Sequence, residues 1–204
     1  MNWNLDTDHY EVRFAHEEDI PNIYALLSTK GVVKHHPKSP MVVEAQAMDE
    51  ARRMVMQFEA KEAAFWLVEE KMTGKVIARI RLQKFNWINA SGQLVLDIFP
   101  EHKDSAKVAE ILYAVLTLAY EDLSLHRVEW HLQESDSGSI ELASLMGFQH
   151  EGQLNSVLEF EGQWIDYQVY SMLNNDENWQ RDNVFQNTTH RLITQTNPRT
   201  VTHE

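Results

Sequence analysis

Residues 105–123 constrain the fold more than any other segment. Ala106, Val108, Ala109, Ile111, Leu112, Val115, Leu116, Leu118 and Ala119 recur there at helical spacing, which predicts one long, strongly apolar helix. Asp104 or Ser105 can cap its start. Three strand-like runs precede it, at 64–69, 76–84 and 93–99, parted by turns at 72–75 and 86–92. Another strand follows at 127–132. Tight turns join antiparallel strands, whereas a crossover helix joins parallel ones. The expected core is therefore a mixed α+β sheet, not a regular strand–helix alternation.

The flanking elements fit this plan. Residues 10–14 alternate as a strand, and 17–28 read as a helix with an apolar stripe of Ile20, Ile23, Tyr24, Leu26 and Leu27. Pro21 falls in that helix's first turn, where its missing N–H costs nothing, and Gly31 is expected to end it. A His-, Lys- and Pro-rich loop at 34–40 leads to a second helix at 42–60. After the central elements come a short helix at 137–146, ended by Gly147, and strands at 148–154, around 157–160 and at 165–173. The predicted domain is 1–173. Residues 174–204 are poor in apolar anchors and read as a polar tail, partly helical around 179–185.

Composition narrows the function. The chain of 204 residues suits one domain, and 43% hydrophobic with 24% charged residues is enough for a real core. A formal net charge of -13 argues against nucleic acid as the main partner. It favours cationic acceptors such as amines or basic peptide ends, although it also serves solubility. No apolar run is long enough for a membrane span. Residues 1–9 are polar and acidic, so no secretory signal and a cytoplasmic location are expected. With no cysteine, disulfides, thiolate catalysis and cysteine-based zinc sites are excluded. His35 and His36 are adjacent and cannot easily converge, and His126 and His131 have no carboxylate at ligand spacing, so no metal site is expected.

The element order, together with three local patterns, resembles the GNAT superfamily of N-acetyltransferases, in its RimJ/RimL-like branch, over residues 10–173. The first pattern runs from Tyr120 through His126, Arg127, Val128 and Glu129. The second is Ser139 through Gly147 and Phe148, similar to a family Asn-x-x-Ser, short helix and Leu-Gly-Phe. The third is Glu151-Gly152 with Gly162-Gln163-Trp164-Ile165-Asp166-Tyr167. The resemblance implies a mostly antiparallel sheet flanked by helices, splayed into a V that holds acetyl-CoA as co-substrate. Ile98 and Phe99 would form the splayed edge, pairing with the cofactor much as an added strand does. Lys103, Asp104, Ser105, Ala106, Lys107 and Val108 would form the pyrophosphate loop at a helix N-terminus. The family loop reads Arg/Gln-x-x-Gly-x-Gly/Ala, so this chain lacks its glycines, and Asp136 stands where the family has Asn.

The chemistry implied is direct attack of a neutral amine on a thioester. It needs a base for the amine, a donor for the carbonyl oxygen and a proton for the leaving thiolate. An N–H near Ile98 or Phe99 would polarise the carbonyl. Ser139 would protonate the thiolate, or else cap the short helix, and Tyr167 is an alternative acid. Asp97, on the splayed strand, and Glu159, on a late strand, are the candidate bases. Two functions are open on this reading. One is an N-acetyltransferase, monomer or homodimer, acting on a protein N-terminus, a polyamine or a small amine. The other is a non-catalytic binding module on the same scaffold.

Overall fold

Eight strands form one sheet: β1 (Leu5–Asp6), β2 (Tyr10–Arg13), β3 (Ala63–Glu70), β4 (Lys75–Asn86), β5 (Ser91–Ile98), β6 (Arg127–Gln133), β7 (Gln149–Phe160) and β8 (Gln163–Leu173). Their spatial order is β1-β2-β3-β4-β5-β6-β8-β7. These elements come from a computed structural model that describes residues 3–33, 40–176 and 179. Every neighbouring pair is antiparallel except β5–β6. That exception spans the crossover helix α4 (Ser105–Thr117), as the sequence pattern predicts. The fold is thus the expected mixed, mostly antiparallel α+β sheet.

Alternation along β3 shows how the two faces are covered. Ala63, Phe65 and Leu67 pack with Ile23, Leu26 and Leu27 of α1 (Ile20–Ser28) and with Ala47 and Met54 of α3 (Glu44–Glu59). Ala64, Trp66 and Val68 join the opposite core, built on Val108, Ile111, Leu112, Val115 and Leu116 of α4. The helix α5 (Ser137–Met146) adds Leu142, Ala143 and Met146 to that same core. The α4 helix finishes in a wider π-helical turn, Leu118–Asp122.

Several details differ from the sequence reading. Gly31 does not end the first helix. Thr29, with ψ 115°, does, and Gly31 lies inside a further short helix, α2 (Lys30–Val33). A Cβ at Gly31 would lie 2.6 Å from Cγ of Pro100, so close approach rather than a turn requires glycine there. The short pair of β1 with β2 was not foreseen. The two late strands expected at 148–154 and 157–160 are one continuous β7, with register shifts against β8 at His150/Gly152 and Leu154/Leu158. Trp179 packs its ring against Tyr120 and Tyr113, at 4.7 and 5.5 Å between centroids. The readings of residues 34–39 and of most of the tail fall outside the described residues. Among those described, no helix is long and apolar enough to cross a membrane.

Candidate active site

The sheet splits between β5 and β6. Their pairing runs only from Ser91↔Arg127 to Leu94↔Trp130. Past that point β5 stays with β4 as far as Ala78↔Ile98, while β6 stays with β8 as far as Gln133↔Tyr167. A small cleft of ≈ 50 Å³ opens in the gap, bordered by β5 from Val95, by His131 and Gln133 of β6, and by Lys103, Asp136 and Ser139. A larger cavity of ≈ 690 Å³, lined by Phe14, Phe65 and α3 side chains such as Met48 and Val55, lies away from the split.

The backbone of β5 decides which of the two nominated amides can serve the cleft. The N–H of Phe99 donates to the carbonyl of Ile77, 3.1 Å away, and so faces β4. Successive amides along a strand point to opposite sides. Ile98 and Leu96 therefore turn theirs toward the gap. The expectation for Ile98 is compatible with this geometry; that for Phe99 is corrected by it.

At the start of α4 the expected pyrophosphate loop holds its own anion. Asp104 caps the helix, and its carboxylate accepts from the amides of Ala106 and Lys107 at 3.1 and 3.2 Å. The amide of Val108 donates to the Asp104 carbonyl. Val108 itself is buried in the core, so its side chain does not stand between the helix and a ligand. Lys107 reaches Glu70 at 3.6 Å and Lys103 reaches Asp136 at 4.0 Å, so both lysines face carboxylates of this chain. Ser105 opens the helix.

Ser139 borders the cleft, in the third position of α5, and donates its hydroxyl to Asp136 at 2.8 Å. It is not the helix cap, a place taken by Asp136. Lys103, Asp136 and Ser139 thus form a short polar chain at one wall. Tyr167 lies on β8 opposite Gln133. Burial holds its phenol above the ordinary value, and a hydrogen bond with Gln133 offsets this only in part.

The two expected bases fare differently from expectation. Asp97 borders the cleft but is buried, and it takes hydrogen bonds from Nε and Nη2 of Arg79 at 3.0 and 2.7 Å. Arg79 is wholly buried and also donates through Nη1 to Glu50 of α3 at 2.7 Å. A second guanidinium, Arg81, stands 3.7 Å from Asp97. Asp97 is thereby an ion-pair partner that ties β5 to α3 through Arg79, which corrects its reading as an open base. Glu159 is exposed near the tip of the β7–β8 hairpin, opposite Trp164, and is not among the residues that border the cleft. In its place the structure brings forward a pair that the sequence reading did not join. His131 Nε2 lies 2.8 Å from Glu129 Oε2, two residues back on the same face of β6.

A cleft in a split sheet, with the following helix starting at its mouth, defines an acyltransferase scaffold. Residues 11–149 match the family Acetyltransferase (GNAT) domain, and the chain belongs to that family, whose acetyl donor is acetyl-CoA. It is similar to the uncharacterized N-acetyltransferase YoaA of Bacillus subtilis (strain 168), at 24% identity over 83% of this chain and 96% of that protein. Among solved structures it is similar to spermidine N-acetyltransferase from Vibrio cholerae in complex with CoA and spermine, with TM-score 0.72 and 18% identity over 81% and 95% of the two chains. It is also similar to RimL, a ribosomal L7/L12 alpha-N-protein acetyltransferase in complex with coenzyme A. There the TM-score is 0.76 and the identity 14%, over 83% and 97% of the two chains.

Proposed function

We propose that this protein transfers the acetyl group of acetyl-CoA to a primary amine that carries positive charge before it reacts. The observation that carries this reading is the split between β5 and β6 with Ser139 at its edge. The Leu96 and Ile98 amides offer the donor a strand edge, and one of them can polarise the thioester carbonyl. The amine nitrogen bonds to the carbonyl carbon as the C–S bond breaks. The thiolate takes the proton of the Ser139 hydroxyl, and the second proton shed by the new amide nitrogen restores it. Asp136 accepts from the same hydroxyl, so the Ser139 proton must turn from carboxylate to sulfur during the step. The net charge of -13, and the half-buried Glu129 and exposed Glu151 on the β6–β7 side, favour a cationic acceptor. A polyamine and a protein N-terminus both suit it, in keeping with the spermidine and ribosomal-protein acetyltransferases it resembles.

One feature supports a second reading, in which the fold serves as a binding module with weak affinity for acetyl-CoA. Asp104 fills the amides that a pyrophosphate would use. Its side chain is exposed and can swing out, at a cost of about 1 kcal/mol for the lost cap. Asp104→Gly removes the competing anion while glycine remains an acceptable cap residue. Calorimetric titration with acetyl-CoA is expected to show tighter binding in this variant, and weaker binding of both proteins at high salt. Release of free CoA in the presence of spermine or a peptide with a free N-terminus tests transfer itself. Tight, salt-independent binding by the wild type refutes the impaired loop. Absence of transfer by both proteins, with acetyl-CoA bound, refutes the enzyme.

A further inference from the structure

Strand β6 carries two kinds of residue on its two faces. Val128, Trp130 and Leu132 enter the α4 core, so Arg127, Glu129, His131 and Gln133 share the opposite face. His131 is the first residue after the last β5–β6 pair, Leu94↔Trp130. It therefore stands where the sheet opens, on the face away from α5 and Ser139, and it borders the cleft together with Asp97 and Gln133. Its side chain is largely covered, with 18% exposed, and the Tyr167 ring lies 6.5 Å from its own.

The partners of the imidazole fix its role. Glu129 is held ionised: burial works against its charge, but hydrogen bonds from His131 and Arg127 outweigh that and lower its proton affinity. An ionised carboxylate only accepts, so Nε2 of His131 carries the hydrogen and Nδ1 of the neutral ring carries the lone pair. Arg127 holds Glu129 in turn, and spans to Glu151 on β7, whose carboxylate accepts from Ser171 on β8 at 2.7 Å. The charged and titratable groups around His131 are thus Glu129 and Arg127 on its own strand, Tyr167 on β8 and Asp97 across the gap, with Glu151 of β7 reached only through Arg127. Asp97 is already engaged by Arg79.

We infer that His131, oriented by Glu129, is the base that deprotonates the acceptor amine from the side of the sheet opposite Ser139. This rests on the acetyl-transfer reading above and names the proton acceptor that reading lacks. An ammonium group gives one proton to Nδ1, and the imidazolium formed is stabilised by Glu129. The nitrogen lone pair so freed makes the C–N bond while the thioester C–S bond breaks. His131 then returns its proton to water. Base and acid stand on opposite faces of one opening, so a proton leaves the amine on one side of the sheet and another reaches the sulfur on the other.

The test is acetyl transfer to spermine and to a peptide with a free N-terminus, followed by CoA release from pH 6 to 10, for wild type, His131→Gln and Glu129→Gln. His131→Gln is expected to lower kcat/KM per folded molecule by roughly 100-fold or more near pH 7. Its affinity for acetyl-CoA should be unchanged, and the deficit should shrink as pH rises and free amine becomes abundant in solution. Glu129, as a positioning residue, should give a smaller loss in Glu129→Gln, with the acidic limb of the pH profile displaced. A wild-type pH profile in His131→Gln overturns the base assignment while leaving acetyl transfer intact. A wild type that binds acetyl-CoA but transfers to neither amine overturns the transfer reading, and the base assignment with it.

Discussion

On the β4–β5 side of the split, carboxylates and guanidinium groups meet out of reach of water; on the β6–β8–β7 side the same groups meet within reach of it. Glu50, Arg79 and Asp97 are all under about a tenth exposed and bind one another across three elements. Arg127, Glu129 and Glu151 form a comparable set with side chains 25, 32 and 41% exposed. Burial separates their roles. A charge sealed from water must keep its partner, and so it fixes structure. A charge at the surface pairs at small net gain and stays able to meet a substrate. The proposed acceptor chemistry accordingly falls on the second side, and the joint between α3 and β5 on the first.

The comparison breaks most visibly at Arg79. Arg79→Met removes the bridge between Glu50 and Asp97 and leaves these buried carboxylates to Arg53 and Arg81, for a loss of about 3 kcal/mol in urea unfolding. A loss under about 1 kcal/mol would show that water reaches the network. Acid probes the same network from Glu50. Burial raises its proton affinity, but the Arg79 charge and the hydrogen bonds from Arg53 and Arg79 outweigh that and hold the carboxyl at about 2. A folded value below the unfolded one means stability that is whole above about pH 4.5 and is lost as pH falls through about 2. That contribution is roughly 3 kcal/mol. Unfolding measured from pH 7 down to pH 3 should show the decline, flattened in Glu50→Gln.

The smallest effect is expected at Arg127, and it sharpens the contrast. Glu151 is also held at about 2, first by its hydrogen bond from Arg127. Its exposure screens that gain, so Arg127→Gln should cost under about 1 kcal/mol. Two carboxyls at the same value would then differ several-fold in what they contribute to stability.

Local patterns carried much of this fold in the sequence. The apolar spacing of α4, the cap at Asp104 and the Gly147 stop, in left-handed conformation with φ 96°, each depend on neighbours a few residues away. What was hidden depends on register and distance. Arg79 meets Glu50 across 29 positions, and no local signal marks that pair. The direction of the Phe99 amide follows from its pairing with Ile77, which alternation alone leaves open. Gly31 looks like a helix stop because glycine usually is one; the contact with Pro100 exists only once α2 meets the end of β5. The His131–Glu129 pair was legible in principle, since residues two apart on a strand share a face. Weighing His131 only as a metal ligand passed over it.

The four-rung limit of the β5–β6 ladder has an isotopic consequence. In heavy water, the β5 amides that face β4 are locked in a ladder of three strands and exchange slowly. Those of Leu96 and Ile98, turned to the gap, have no rung to open first. The strand then carries a barcode of alternating slow and fast deuterium uptake beginning just after Leu94. A donor lying along the edge erases the fast bars and leaves the slow ones untouched. Uptake at single-residue resolution therefore maps where the donor's chain lies before any acceptor is known.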